Sequence, residues 1–190
     1  MTAAVLSPTI TTPSEPSLSA AVGRFLVLAG AVFGTANLFQ FGVFSGLLHL
    51  HPAVLSLSWP LAVAGFLIVL FRMRRSPSAT VRRAATWSRF ALAGQISGAL
   101  ILLGLSIVLK DWTIMRAMSV VGMALYGVAW IIAAVRTRTL WTAGLAAGCL
   151  GASAGIALLL GTPAQYLAYG LSLFAFALTP GLILMSGRDR

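Results

Sequence analysis

The sequence predicts an all-α, polytopic integral membrane protein with six transmembrane helices, and three observations carry that prediction. First, six apolar stretches, 25–48, 53–71, 90–109, 113–135, 140–160 and 164–185, fill most of the 190 residues. Each is about 20 residues long, which at 1.5 Å per helical residue crosses a hydrocarbon core roughly 30 Å thick. Second, Arg116 is the only charged side chain within those limits, three residues from an end. A charge at the bilayer centre costs about 2.5–3.5 kcal/mol on insertion scales, so such exclusion is what lipid demands. Third, the cations are one-sided. Arg24, Arg72, Arg74, Arg75, Arg82, Arg83, Arg89, Arg136, Arg138, Arg188 and Arg190 fall on one side of a six-span threading, and only Lys110 and Arg116 on the other. The positive-inside rule then places both termini in the cytoplasm of a multi-pass plasma-membrane protein, an inner-membrane protein in a Gram-negative host.

Composition narrows the function classes. Hydrophobic residues make up 59% and charged residues 8%, against roughly 25% charged in a soluble domain. These residues leave no room for a soluble catalytic domain, so function is built within the membrane or at its rims. The net charge of +10 would suggest nucleic acid in a soluble protein; its confinement to one side assigns it to topology instead, and no nucleic-acid partner is expected.

Residues 1–22 are rich in Ser, Thr, Pro and Ala, carry the single charge Glu15, and lack the basic start of a secretory signal. They read as a disordered cytoplasmic tail before a transmembrane domain at 23–188. The first span carries Asn37 and Gln40, three residues apart and therefore on one face. Gly30 and Gly34 continue that stripe, which is expected to point inward. His49 and His51 flank Leu50 on the outer rim, where an imidazole can ligate haem iron. The second span holds Trp59 and Pro60. After it, the loop from Arg72 to Arg89 joins clustered arginines to Ser76-Pro77, a cap-and-proline start for a short helix. Arg82, Arg83 and Trp87 would then lie at the headgroups, where anionic lipid is a candidate partner. The third span carries Gln95 and Ser97 near its cytoplasmic end. Outer-rim groups follow at Asp111, Trp112, Arg116, Gln165, Tyr166 and Tyr169. Pro180 interrupts the sixth span as Pro60 does the second, and each proline removes a backbone donor.

The odd spans begin alike, with an arginine and then Ala-Gly-x-x-x-Gly: Arg24 with Gly30 and Gly34, Arg89 with Gly94 and Gly98, Arg138 with Gly144 and Gly148. The chain thus reads as three tandem hairpins, 24–75, 89–138 and 138–188, around a pseudo-threefold axis along the membrane normal. Small residues four apart let backbones approach closely, so the odd helices are expected to make the tight contacts, with Gly42, Gly46, Gly151 and Gly155 extending the pattern. Such faces also suit a homo-oligomer or a larger membrane complex.

Several chemistries are excluded. Gly151-Ala152-Ser153-Ala154-Gly155 matches a nucleophile elbow in letters only, since it lies inside a span and no histidine follows. The three carboxylates, Glu15, Asp111 and Asp189, form no intramembrane pair. The one lysine, Lys110, is outside the spans, so neither a P-loop nor an intramembrane Schiff base is available. Cys149 is single and mid-span, which precludes an intrachain disulfide. No metal site and no catalytic residue are assigned, and a non-enzyme is expected.

Three function classes stay open. The first is binding or passage of a small neutral or anionic solute through an outward-facing vestibule lined by Asn37, Gln40, Trp59, Arg116, Tyr166 and Tyr169. The second is a membrane-embedded haem enzyme or electron carrier using His49 or His51. The third is a structural or assembly subunit. For the topology itself, reporter fusions after Arg83 and after Arg138 are expected to read as cytoplasmic and one after Asp111 as exterior; a cytoplasmic reading at Asp111 overturns the threading.

Overall fold

The computed structural model describes residues 17–75 and 78–187. Among them the chain forms helices and turns, with no strand. Six helices are long and apolar enough to cross a membrane. They are α1 (Leu18–Phe44), α2 (Leu55–Arg74), α3 (Ala79–Leu109), α4 (Met118–Thr137), α5 (Leu140–Leu158) and α6 (Ala164–Ser186). A short 3-10 turn, Pro52–Val54, leads into α2, and a longer one, Trp112–Ala117, leads into α4. α6 is α-helical over Ala164–Leu173 and Thr179–Ser186, with a π turn over Phe174–Leu178 between them.

Helix limits follow local chemistry more than hydropathy. α1 starts at Leu18 because the Ser17 hydroxyl caps it, accepting from the Ala20 amide at 3.2 Å. Residues 18–22, expected in the tail, are therefore helical; residues 1–16 lie outside the described part. α1 stops at Phe44, and Gly46, with φ +77°, turns the chain where a longer span was expected. The short headgroup helix expected after Arg72 is instead the first three turns of α3, one continuous helix of 31 residues. Its cap is Ser78, the hydroxyl accepting from the Val81 amide; Ser76 and Pro77 lie outside the described residues. No proline or glycine separates Ala79 from Ala93, so nothing breaks the helix. Val81 is buried against Ala21, Phe25 and Leu70, which ties this extension to α1 and α2.

Consecutive helices pack side by side and α6 returns to α1, closing a ring. The close pairs are α1 with α6 and α4 with α5, so the odd helices α1 and α5 take part in the tight contacts, each against an even helix, while α3 does not. On α1, a Cβ at Gly23 would lie 2.6 Å from the Gly181 carbonyl oxygen, and one at Gly30 would lie 2.6 Å from the Leu178 amide nitrogen. The two backbones touch there, and only the missing side chains permit it. The three Ala-Gly-x-x-x-Gly segments do not make equivalent contacts. Gly94 meets only Leu125 methyl groups at 3.8–3.9 Å, and Gly144 meets nothing within 4 Å. Gly151 and Gly155 also face open space.

Two apolar cores result. One joins Ala21, Phe25 and Ala29 of α1 to Phe66 and Leu70 of α2. The other joins Met123 and Trp130 of α4, Cys149 and Ile156 of α5, and Tyr169 and Leu173 of α6. α2 and α3 turn Leu57, Leu61, Ile68, Leu100, Ile101 and Val108 outward, an apolar exterior suited to lipid chains. α2 continues through Pro60 without interruption, whereas α6 reorganises into the π turn just before Pro180. Pro180 cannot donate to the carbonyl four residues back, that of Phe176. The Trp130 indole Nε1–H donates to that oxygen at 3.1 Å, and the Thr179 hydroxyl donates to the Phe174 carbonyl at 2.9 Å.

This packing yields a contrast between glycines. Gly30→Leu or Gly181→Leu is expected to abolish accumulation in the membrane fraction, because overpacking costs about 1–3 kcal/mol even for added methylenes in side-chain contacts. Gly144→Leu is expected to accumulate at the parental level. Equal loss at all three positions removes the distinction between the α1–α6 seam and the open face of α5.

Candidate functional site

At the end of the bundle opposite the arginine cluster, three short segments build a concave site. The chain leaves α3 through Lys110 in a left-handed turn (φ 54°) and enters the 3-10 turn at Asp111. The Asp111 carboxylate accepts from the Thr113 hydroxyl at 2.6 Å and the Thr113 amide at 2.9 Å, bonds that hold its carboxyl below the ordinary range. The cap is therefore intact above the unfolded carboxyl range and is lost as pH falls through the folded value. It aims the 3-10 turn so that Arg116, near its end, sits over the α5–α6 turn. There Gly161, at φ +84°, leaves room for the guanidinium: a Cβ would lie 3.2 Å from an Arg116 terminal nitrogen.

Gln165 locks these pieces together. It is 1% exposed, and its Nε2 donates to the Arg116 carbonyl and to the Ser119 hydroxyl, each at 2.7 Å. Its Oε1 accepts from the Gly161 amide at 3.1 Å. One amide thus joins α6, the start of α4 and the turn after α5. The resulting cleft, of about 110 Å³, is lined by Phe44, Arg116, Gly161, Thr162, Gln165 and Tyr166 among others and is open on one side. Phe44 and Tyr166 close one wall as a stack, centroids 5.1 Å apart and rings 16° from parallel. The Arg116 guanidinium is exposed and makes no hydrogen bond or ion pair with any described residue. A second, more open concavity adjoins it, between Thr113, Ile114 and Leu160.

Of the vestibule residues expected from sequence, Arg116 and Tyr166 are brought together here. Tyr169 lies one turn deeper, 7% exposed, its hydroxyl occupying the space a Cβ on Gly122 would take. Gln40 and Asn37 are buried in α1, at 4% and 1% exposure. Asn37 Nδ2 donates to the Phe33 carbonyl at 2.7 Å, one turn back on its own helix. Trp59 is elsewhere: it stacks on Phe33 at 5.6 Å, and Phe33 also meets Phe66 at 5.2 Å. Phe33 is eleven residues from Phe44, roughly 16 Å along α1, so Trp59 packs α2 onto α1 well below the cavity.

His49 and His51 are exposed in the α1–α2 connection, and His51 Nδ1 accepts from the Ala53 amide at 3.2 Å. No group of three metal-capable side chains forms among the described residues. At the other end, Arg72, Arg74, Arg75, Arg82 and Arg89 are exposed; the side chains of Arg83 and Trp87 lie outside the described part.

One residue gains a role beyond its place in the sequence: Gln165, on the rim, is the frame of the cavity. Gln95, six residues into the span Arg89–Leu109, makes the interhelical bond that a polar side chain in a span is expected to make. Its Nε2 donates to the Gly122 carbonyl at 3.2 Å. A polar amide that starts an apolar span is the signal that would have found Gln165.

The fold and its apolar exterior define a six-span, multi-pass membrane protein. Comparison with known proteins adds no closer assignment: no family model matches the chain, and no curated protein or solved structure is similar to it. For the frame, Gln165→Leu is expected to lower the unfolding midpoint in detergent, by about 1–2 kcal/mol, since it removes three hydrogen bonds while the Ser119 hydroxyl still donates to the Arg116 carbonyl at 3.2 Å. An unchanged midpoint means those groups are wetted and the glutamine is not the frame.

Proposed function

We propose that this protein binds or passes a small neutral or anionic solute through a vestibule that opens to the cell exterior, with Arg116 at its mouth. The observation that carries the reading is the guanidinium itself. It is the one cation in the six apolar stretches, it lines a cavity, and it makes no hydrogen bond or ion pair with a described residue, although the Asp111 carboxylate feels its charge, while Gln165 fixes the backbone beneath it. A planar fork on a fixed backbone, with its donors unused, suits a carboxylate or phosphate group, which it grips by two bonds. The Tyr166 ring and the Thr162 segment supply the walls.

The orientation belongs to the same proposal. The arginine-rich end faces the cytoplasm, the cavity faces outward, and in a Gram-negative host the membrane is the inner one. Exposed arginines from Arg72 to Arg89 then stand at the anionic leaflet, where each gains about 1 kcal/mol from the surface potential.

The test is thermal unfolding of the detergent-purified protein in inorganic phosphate and in acetate, at low and high sodium chloride. The parent is expected to be stabilised by the anions at low salt, with the effect fading as salt screens it. Arg116→Gln is expected to lose the stabilisation, and Arg116→Lys to keep only a small part, because an ammonium lacks the fork. If both variants match the parent in protein level and in anion response, Arg116 only reaches for water and the vestibule has no charged contact.

A further inference from the structure

Below the mouth, the interior holds polar groups that the fold does not use. Gln40 is 96% buried by its 4% exposure and makes no hydrogen bond with any described residue. The Tyr169 hydroxyl, on a residue 7% exposed, likewise has no hydrogen-bond partner among them. Gln95 spends its Nε2 on the Gly122 carbonyl and leaves its Oε1 over. Asn37 spends its Nδ2 on Phe33 and leaves its Oδ1 over.

These groups lie near one another along the bundle. The Tyr169 hydroxyl and Gln95 Oε1 lie 2.5 and 3.4 Å from one point, the Cβ position of Gly122, where α6, α3 and α4 converge. Gln40 is placed by the antiparallel register of α1 and α6. Gly34 and Leu38 lie against Gly170 and Phe44 stacks on Tyr166, so Gln40, between them on α1, falls within about one turn of Tyr169, between them on α6. It also faces the interior: it is 4% exposed, and Phe33 and Leu26, seven and fourteen residues earlier on the same stripe, pack against the core of α4, α5 and α6, Phe33 touching α2 as well. Asn37 is one turn below.

In a membrane interior a polar group without a partner costs several kcal/mol, and lipid cannot supply one. We infer that Gln40, Gln95 and Tyr169 form an interior binding layer for a small uncharged solute carrying both hydrogen-bond donors and acceptors, such as a polyol or an amide. The class follows from the groups. The layer offers the amide oxygens of Gln40 and Gln95, the Gln40 amide hydrogens and a phenol, and no ionisable cation or carboxylate to compensate an ion. An anion is therefore held at Arg116, and what passes beyond Gln165 is neutral. The inference rests on the outward vestibule as the route of entry.

The experiment measures uptake of glycerol, urea and acetamide by light scattering of proteoliposomes, beside the unfolding midpoint of each variant in detergent. Gln40→Leu and Tyr169→Phe remove the unpartnered groups while keeping the shape. Both are expected to reduce protein-dependent uptake of at least one probe about tenfold, as loss of a ligand hydrogen bond does, and to leave the midpoint unchanged or raised. Both are also expected to retain the phosphate response that depends on Arg116. Uptake equal to the parent's in both variants overturns the layer, and so does a parent no more permeable than empty vesicles to all three probes. A lowered midpoint in both variants, with unaltered uptake, makes the groups structural. A lost phosphate response confined to Arg116→Gln, with either result at the layer, separates the mouth from the interior.

Discussion

Lipid offers no hydrogen bond to a backbone carbonyl, and the arrangement of this bundle turns on how one such carbonyl is satisfied. Pro180 removes the amide that would have bonded Phe176, and α6 forms a π turn just before it, where two side chains donate to backbone carbonyls. The Thr179 hydroxyl serves Phe174 within α6, while the Trp130 indole serves Phe176 from α4. The second bond is the consequential one. It fixes α4 beside α6 at the same stretch where Gly30 of α1 lies against Leu178. The helix that proline would have weakened is thereby held on both sides, by an indole on one and by a glycine face on the other.

That central sandwich of α1, α6 and α4 explains why the rest can be looser. α5 packs closely on α4 and leaves Gly144, Gly151 and Gly155 on its open face. α2 is anchored to α1 mainly by aromatic contacts, Phe33 with Trp59 and Phe66, and α3 by its first turns, through Val81. α3 touches the bundle at its start through apolar packing, at its middle through Gln95 and Gly98, and beyond them through the buried Leu102 and Ser106, while Ile101, Leu105 and Val108 turn outward.

The spans and their number were legible because lipid imposes a rule that hydropathy and charge exclusion report directly. Helix ends were not, because they are set by groups that hydropathy ignores: Ser17 and Ser78 extend α1 and α3 beyond their apolar limits, and Gly46 shortens α1. The glycine pattern was visible as a motif but not as a contact. Gly30 and Gly144 occupy equivalent places in the sequence, yet one meets a backbone and the other open space, and only the rotation of each helix decides which. For the site, Arg116 with Tyr166 was legible from depth and residue type. Trp59 was misplaced because its neighbour in α1, Phe33, sits far below Phe44, a register that depends on the length of the α1–α2 connection. Gln165 escaped because two of its three partners, the Arg116 carbonyl and the Ser119 hydroxyl, lie more than forty residues away in sequence.

Gln165 and Gln40 show how partnering separates structure from function when burial does not. Both are glutamines and both are almost fully enclosed, at 1% and 4% exposure. Gln165 is met by a carbonyl, a hydroxyl and an amide from two other segments, so its burial is compensated and its removal is felt by the fold. Gln40 is met by none among the described residues, so the same burial is an uncompensated cost that leucine would have avoided. A sequence that is strict about excluding charge from its spans keeps that amide without a partner, sets a tyrosine hydroxyl within about a turn of it, and sets the oxygen of Gln95 near that hydroxyl. The expense is accounted for when the missing partner is a molecule that comes and goes, and its chemistry is then the complement of what the layer presents: uncharged, small, and able both to give and to accept a hydrogen bond.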